Sequence, residues 1–181
     1  MDSILARKPR IWYPGASYHL TSRGNRRAAI FYDPDDRYMY LSLLEQTRNQ
    51  YPFHLHAYCL MTNHIHLLLE TIDTPTKDIM KKLHSLYAIY FNKRHRTSGH
   101  LFQGRYHAEL IQTDPYLLEV SKYIHLNPVE AKMVKRPESY RWSSYTAYIS
   151  STTHPHVCTE RILSYFPHPQ NHNYQMYVEQ K

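Results

Sequence analysis

At 181 residues, with 42% hydrophobic and 20% charged side chains, the chain can close its own core and is too apolar for wholesale disorder. Lys and Arg total 22 against 15 Asp and Glu, a net charge of +7 that points to an anionic partner. No run reaches the ~18 apolar residues of a membrane span, Cys59 and Cys158 are too few for a disulfide framework, and residues 1–15 lack a signal peptide's apolar core; a cytoplasmic protein with no membrane partner is expected.

The first element in chain order is a strand over 18–22, entered from Pro14-Gly15 and left at Arg23-Gly24-Asn25. Asp33-Pro34-Asp35-Asp36 starts a helix, with acids where the N-terminal dipole favours them, and apolar spacing carries it to about Gln50. Residues 53–61 and 64–71 read as two strands joined at Thr62-Asn63. Thr74-Pro75-Thr76 opens a second helix with Ile79, Leu83, Leu86, Tyr87 and Tyr90 on one stripe. A polar loop over 95–104 leads to a fourth strand over 107–112. Asp114-Pro115 starts a third helix, which Pro128 is expected to end by Asn127. Short helices are expected over 140–148 and 159–166, around a linker over 150–157.

The order βαββαβ followed by a helix predicts an α+β fold: a ferredoxin-like (RRM-like) antiparallel sheet in the order 4-1-3-2 with a helix added after it. Residues 1–149 form the main domain and residues 150–181 a short C-terminal extension.

Basic charge is clustered. Arg7, Lys8, Arg10, Arg23, Arg26 and Arg27 face only Asp2 within residues 1–30. Lys77, Lys81, Lys82, Lys93, Arg94, Arg96 and Arg105 face only Asp78 within 77–106. Neither window has the apolar face of a membrane-surface helix, so nucleic acid is the favoured partner.

His64-Ile65-His66 carries the most chemistry. Strand period 2 puts both imidazoles on one face, spaced to hold one divalent ion, and sends Ile65, Leu67 and Leu69 to the other. His54-Leu55-His56 has the same spacing, and spacing alone leaves the two pairs as rivals. Tyr123 and Asn127 stand one turn apart on the third helix, with Lys122 beside them. Among 18 tyrosines only Tyr123 has an amide residue one turn on, just before Pro128. A hydroxyl beside an amide and a His-x-His metal site can perform covalent phosphoryl transfer. Triad, Walker and GxGxxG signatures are absent.

TSRGN (21–25), HAYCLMTNHIHLLLE (56–70), GHLFQGRYHAELI (99–111), YIHLNPVEAKMV (123–134) and YRWSSYTAY (140–148) together resemble the single-tyrosine HUH transposases, in the branch of REP-associated tyrosine transposases. The resemblance runs from about Tyr13 to Tyr148. It implies that His64 and His66 rather than His54 and His56 bind the metal, with Asn127 as third ligand and Tyr123 as nucleophile. It further implies Mg²⁺ or Mn²⁺ as cofactor, and cleavage and rejoining of single-stranded DNA at a hairpin through a 5′-phosphotyrosine, in a bacterial, nucleoid-associated setting. Arg23, Arg26, Arg27, Lys81, Lys82, Arg105 and Lys122 are candidate DNA contacts. Some relatives exchange the tyrosine helix between protomers, so a homodimer stays open. Met61-Thr62-Asn63 and Ala131-Lys132-Met133 depart from the family pattern without touching ligands or nucleophile. Two alternatives remain at this stage: a single-stranded nucleic-acid-binding module without chemistry, and a metal-dependent nuclease that uses water.

Overall fold

A computed structural model describes residues 11–150 and 154–180. Arg7, Lys8 and Arg10 of the first basic window, and residues 151–153 of the expected linker, lie outside the described residues. The elements are β1 (Ser17–Arg23), α1 (Pro34–Gln50), β2 (Phe53–Leu60), β3 (His64–Thr71), α2 (Thr76–His95), β4 (His107–Ile111), α3 (Asp114–Glu130), α4 (Tyr145–Ile149), α5 (Glu160–Leu163) and α6 (Gln170–Glu179). Short 3-10 turns occupy Asn25–Arg27 and Pro137–Ser139. The four strands form one sheet, β2-β3-β1-β4, with every pair antiparallel. This is the expected 4-1-3-2 order read from the other edge.

Local chemistry sets the boundaries. Asp33 caps α1 by accepting from the Asp36 amide at 3.1 Å, with Pro34 at the first helical position where no N–H is needed. Thr113 caps α3 by accepting from the Tyr116 amide at 3.4 Å. Gly24 has to be glycine because a Cβ there would lie 2.0 Å from the Ala28 carbonyl oxygen; its absence lets the turn after β1 fold back, and the Gly24 amide donates to Asn63 O at 2.8 Å.

The sheet has an apolar and a polar face. Tyr18, Leu20, Ile65, Leu67 and Leu69 are buried in one core with Tyr40 and Leu44 of α1 and Ile79, Leu83 and Tyr87 of α2. Each such side chain contributes about 1.5–3 kcal/mol on burial. The opposite face carries His19, Thr21 and Arg23 of β1, His64 and His66 of β3, and His107 and Glu109 of β4, with Thr21 directly across from His66 and from His107. α3 covers part of this polar face, inserting Leu117, Val120 and Ile124.

α3 corrects one expectation. It does not end at Asn127 but continues to Glu130, with Pro128 inside its last turn. Proline removes a single amide there, and the turn is closed by Ala131 N donating to Asn127 O and Met133 N donating to Pro128 O, both at 2.9 Å. Lys132 follows in the left-handed region at φ 57°, a position that glycine fills most readily.

The C-terminal part packs back onto the sheet. Leu60 N donates to Trp142 O, Ser144 N to Tyr58 O and Cys158 N to Leu55 O, at 2.9, 3.0 and 2.8 Å, which covers the outer edge of β2. The helix expected over 140–148 is α4 behind a 3-10 turn, and that over 159–166 shortens to α5. α6 was not expected; its Tyr174 and Val178 are buried.

Candidate active site

β3 and α3 bring the chemistry-bearing residues together. His64 and His66 project from the same face of β3, with ring centroids 5.0 Å apart and planes at 87°. The Tyr123 ring stands edge-on to His66 at 5.5 Å and to His19 at 5.8 Å. His66 is 5% exposed while Tyr123 is 49% exposed, so the histidine is fixed beneath and the phenol remains open to solvent. Asn127, one turn on, is buried and hydrogen-bonds the His64 side chain. The other side of His64 is held by Asn63, whose Oδ1 accepts from His64 Nδ1 at 2.7 Å.

All three imidazoles are held neutral. Burial, then the neighbouring His19, His64 and Arg23, push His66 down to about 3. Burial also lowers His64, against the opposing hydrogen bond from Asn127, and lowers His19 against the attraction of Glu109. A neutral imidazole has a lone pair to give to a metal, whereas a protonated one has none. Among the described residues no three His, Cys, Asp or Glu side chains form a metal-sized cluster; the candidate donor set is the two imidazoles of His64 and His66 with the Asn127 amide. That set fits a divalent ion whose remaining positions are filled by water or phosphate oxygens.

The remaining candidates fall elsewhere. Arg23 lies directly across from His64 and contributes to lowering the pKa of both His64 and His66. Arg26 and Arg27 are exposed on the turn that follows, both at positive φ. Arg105 and Arg23 line a small cavity of about 190 Å³ with Thr21 and His107. Arg105 and Lys81 also line a larger cleft of about 1230 Å³ against α2, with Lys77, Trp12 and Tyr106 on its walls. Lys82 is half-buried on α2 and lines neither cavity. Lys122 does not join the site: its Nζ donates to the Tyr177 and Gln180 carbonyls at 2.7 and 3.1 Å, neutralising the C-terminal end of α6.

The rival pair is differently engaged. His56 sits at a bulge in β2, with Nε2 2.9 Å from Glu70 Oε2 and Nδ1 3.3 Å from Cys158 O, while His54 is exposed on the strand. Sequence reasoning passed over His19 and Thr21. The signal was present, since both alternate with Tyr18 and Leu20 on a strand expected beside β3.

Comparisons with known proteins bear on the family and the fold. The family model described as IS200-like transposase matches residues 13–127, which includes β1 to β4, His64, His66, Tyr123 and Asn127. A Haemophilus influenzae protein named as a REP-associated tyrosine transposase is 28% identical over 131 residues, covering 63% of this chain and 71% of that protein. The solved structure of a REP-associated tyrosine transposase bound to a REP hairpin superposes with a TM-score of 0.68 at 17% identity, covering 83% of this chain and 89% of that one, and so shares the fold. With nearly two thirds of its length matched by one family model, the chain belongs to the IS200-like transposases.

Proposed function

We propose that the chain cuts and rejoins single-stranded DNA beside a hairpin, with Tyr123 as nucleophile. The observation that carries this reading is an exposed phenol edge-on to a buried, neutral His66, with Asn127 one turn away on His64. Tyr123 Oη attacks the phosphorus in line; the phosphorus–O3′ bond breaks, the leaving oxygen takes up a proton, and the phenolic proton is released. The products are a free 3′-hydroxyl and a 5′-phosphotyrosine. The adduct retains the bond energy, so attack by a 3′-hydroxyl reverses the step and joins strands without ATP.

His64, His66 and Asn127 would hold Mg²⁺ or Mn²⁺. When bound, such an ion supplies Lewis-acid stabilisation of charge on the phosphate oxygens. Arg23, Arg26 and Arg27, at the end of β1 and on the turn after it, would hold DNA backbone there, and Lys81 and Arg105 would hold it along the α2 cleft. The hairpin as partner follows by analogy with the neighbour of like fold. Residues 1–149 act as the catalytic domain, and residues 150–181 as an extension bracing α3, in a cytoplasmic protein with the oligomeric state open between monomer and homodimer.

The test is a denaturing gel with hairpin DNA labelled 3′ of the cut. The wild type is expected to give a protein–DNA adduct. Tyr123→Phe should bind DNA without cutting it, and His66→Ala should lose cleavage. Cutting by Tyr123→Phe without an adduct would favour a water nuclease, and binding without cutting by the wild type would favour a binding module.

A further inference from the structure

His19 lies among the candidate ligands without a part in the reaction just described. It is on β1, two residues from Thr21, and is therefore a diagonal cross-strand neighbour of His66. The ring is 8% exposed and stacks on His66 with centroids 5.2 Å apart. Its Nε2 is 2.9 Å from His66 Nδ1. Two neutral ring nitrogens at that distance share a single proton, so one donates and the other accepts.

The direction of that bond decides what His66 can do. With the proton on Nδ1, His66 donates to His19 and keeps the Nε2 lone pair. With the proton on Nε2, His66 accepts from His19 and has no lone pair left to offer. Thr21 Oγ1 lies beside the contact, at 3.4 Å from His66 Nδ1 and 3.5 Å from His19 Nε2. Those lengths are at the limit of a hydrogen bond, so the threonine is a weaker acceptor than the imidazole.

We propose that His19 is a positioning residue that accepts the Nδ1 proton of His66, fixing the tautomer and ring orientation in which His66 Nε2 is free to ligate a divalent cation. The proposal rests on the reading of His64, His66 and Asn127 as a cation site. It assigns His19 no contact with DNA or with the reacting phosphate. Removing such a partner of a ligating histidine typically costs about 10–100-fold in metal affinity.

Two measurements test it. Histidine ¹⁵N NMR of the metal-free protein reads the His66 tautomer, and EPR of free Mn²⁺ during titration reads affinity without reference to activity. The wild type should show His66 protonated at Nδ1. His19→Ala should mix the tautomers and weaken Mn²⁺ binding about 10–100-fold. His19→Gln, whose carbonyl can accept the same proton, should recover most of both, and it remains informative should the alanine variant fail to fold. His66 protonated at Nε2 in the wild type, or undiminished Mn²⁺ affinity in a folded His19→Ala protein, would overturn the proposal. A wild type that holds the Nδ1–H tautomer yet binds no Mn²⁺ overturns the cation-site reading beneath it, a failure distinct from the other two.

Discussion

His125 lies between Tyr123 and Asn127 in sequence but is fully buried and bonded away from the site. Its Nδ1 is 2.7 Å from Tyr174 Oη and its Nε2 2.8 Å from Ser144 Oγ. Proton counting fixes the direction of each bond. Ser121 Oγ donates to Leu118 O, so it accepts from Tyr174 Oη at 3.2 Å. Tyr174 has then used its only proton and must accept from His125 Nδ1–H. Nε2 is left to accept from Ser144 at 2.8 Å, a shorter bond than the 3.4 Å that the same hydroxyl makes to Tyr58 O, and the Ser144 oxygen accepts from the Tyr58 amide at 2.9 Å. Burial lowers the His125 pKa to about 3, which keeps the ring neutral as this chain of bonds requires. The network joins α3 to β2, α4 and α6. Tyr174→Phe leaves a buried N–H without an acceptor and should cost about 1–3 kcal/mol, read as a lower urea midpoint at unchanged slope. No loss of stability would mean that the network is not a brace. In the sequence His125 is one of 14 histidines, and nothing in its neighbourhood reveals partners 19 and 49 residues away.

The four strands and first two helices were legible as elements because each carries a local signal: alternation on the strands, and Asp-Pro or Thr-Pro starts before the helices. Pro128 was misread because proline disfavours but does not forbid helical dihedrals at Asn127 and removes one amide, and the helix runs only two residues beyond it. α6 went unseen because it buries only Tyr174 and Val178, too few apolar positions to mark a helix until α3 and α4 are in place to receive them. α5 shows a similar dependence on the sheet. Its Arg161 Nη1 lies 2.5 Å from Glu70 Oε2, and His56 Nε2 lies 2.9 Å from the same oxygen. Bonding to His56, then to Arg161, outweighs desolvation and lowers the Glu70 pKa from the usual 4.5 to about 2. A depressed carboxylate pKa stabilises the fold above 4.5, and the contribution disappears as pH falls from 4.5 towards 2. About a fifth of the Glu70 side chain is in solvent, so screening leaves about 0.5–1 kcal/mol over pH 7 to 3.5. Urea unfolding at those two pH values should therefore show a smaller acid loss for Glu70→Gln than for the wild type. Equal losses would mean that this carboxylate does not contribute.

At the scale of the whole molecule, two groups of basic side chains among the described residues are candidates to meet DNA: Arg23, Arg26 and Arg27 at the end of β1 and on the turn after it, and Lys77, Lys81 and Arg105 around the α2 cleft. If both track one DNA backbone, log affinity should fall with log salt at a slope of about −0.7 per phosphate neutralised on a single strand. Lys81→Glu should weaken binding to all sequences alike and flatten that slope. Lys122→Ala should lower stability and leave the slope unchanged, because its ammonium is bonded to α6. Equal slopes for wild type and Lys81→Glu would leave the cleft charge without a part in binding. That His64 and His66 share a face was legible through strand period, although spacing alone did not choose them over His54 and His56; that Tyr123 comes to lie edge-on to His66 was not legible from helix spacing, because it depends on how α3 docks on the sheet. Lys122 was misplaced because a flanking position in sequence is about 100° away around a helix. The central claim is that one tyrosine among 18 forms the covalent bond to DNA. Mass spectrometry of the digested adduct tests it most directly: the account predicts the phosphonucleotide mass on the peptide containing Tyr123, and an adduct on Tyr106, Tyr116 or any other tyrosine would contradict it.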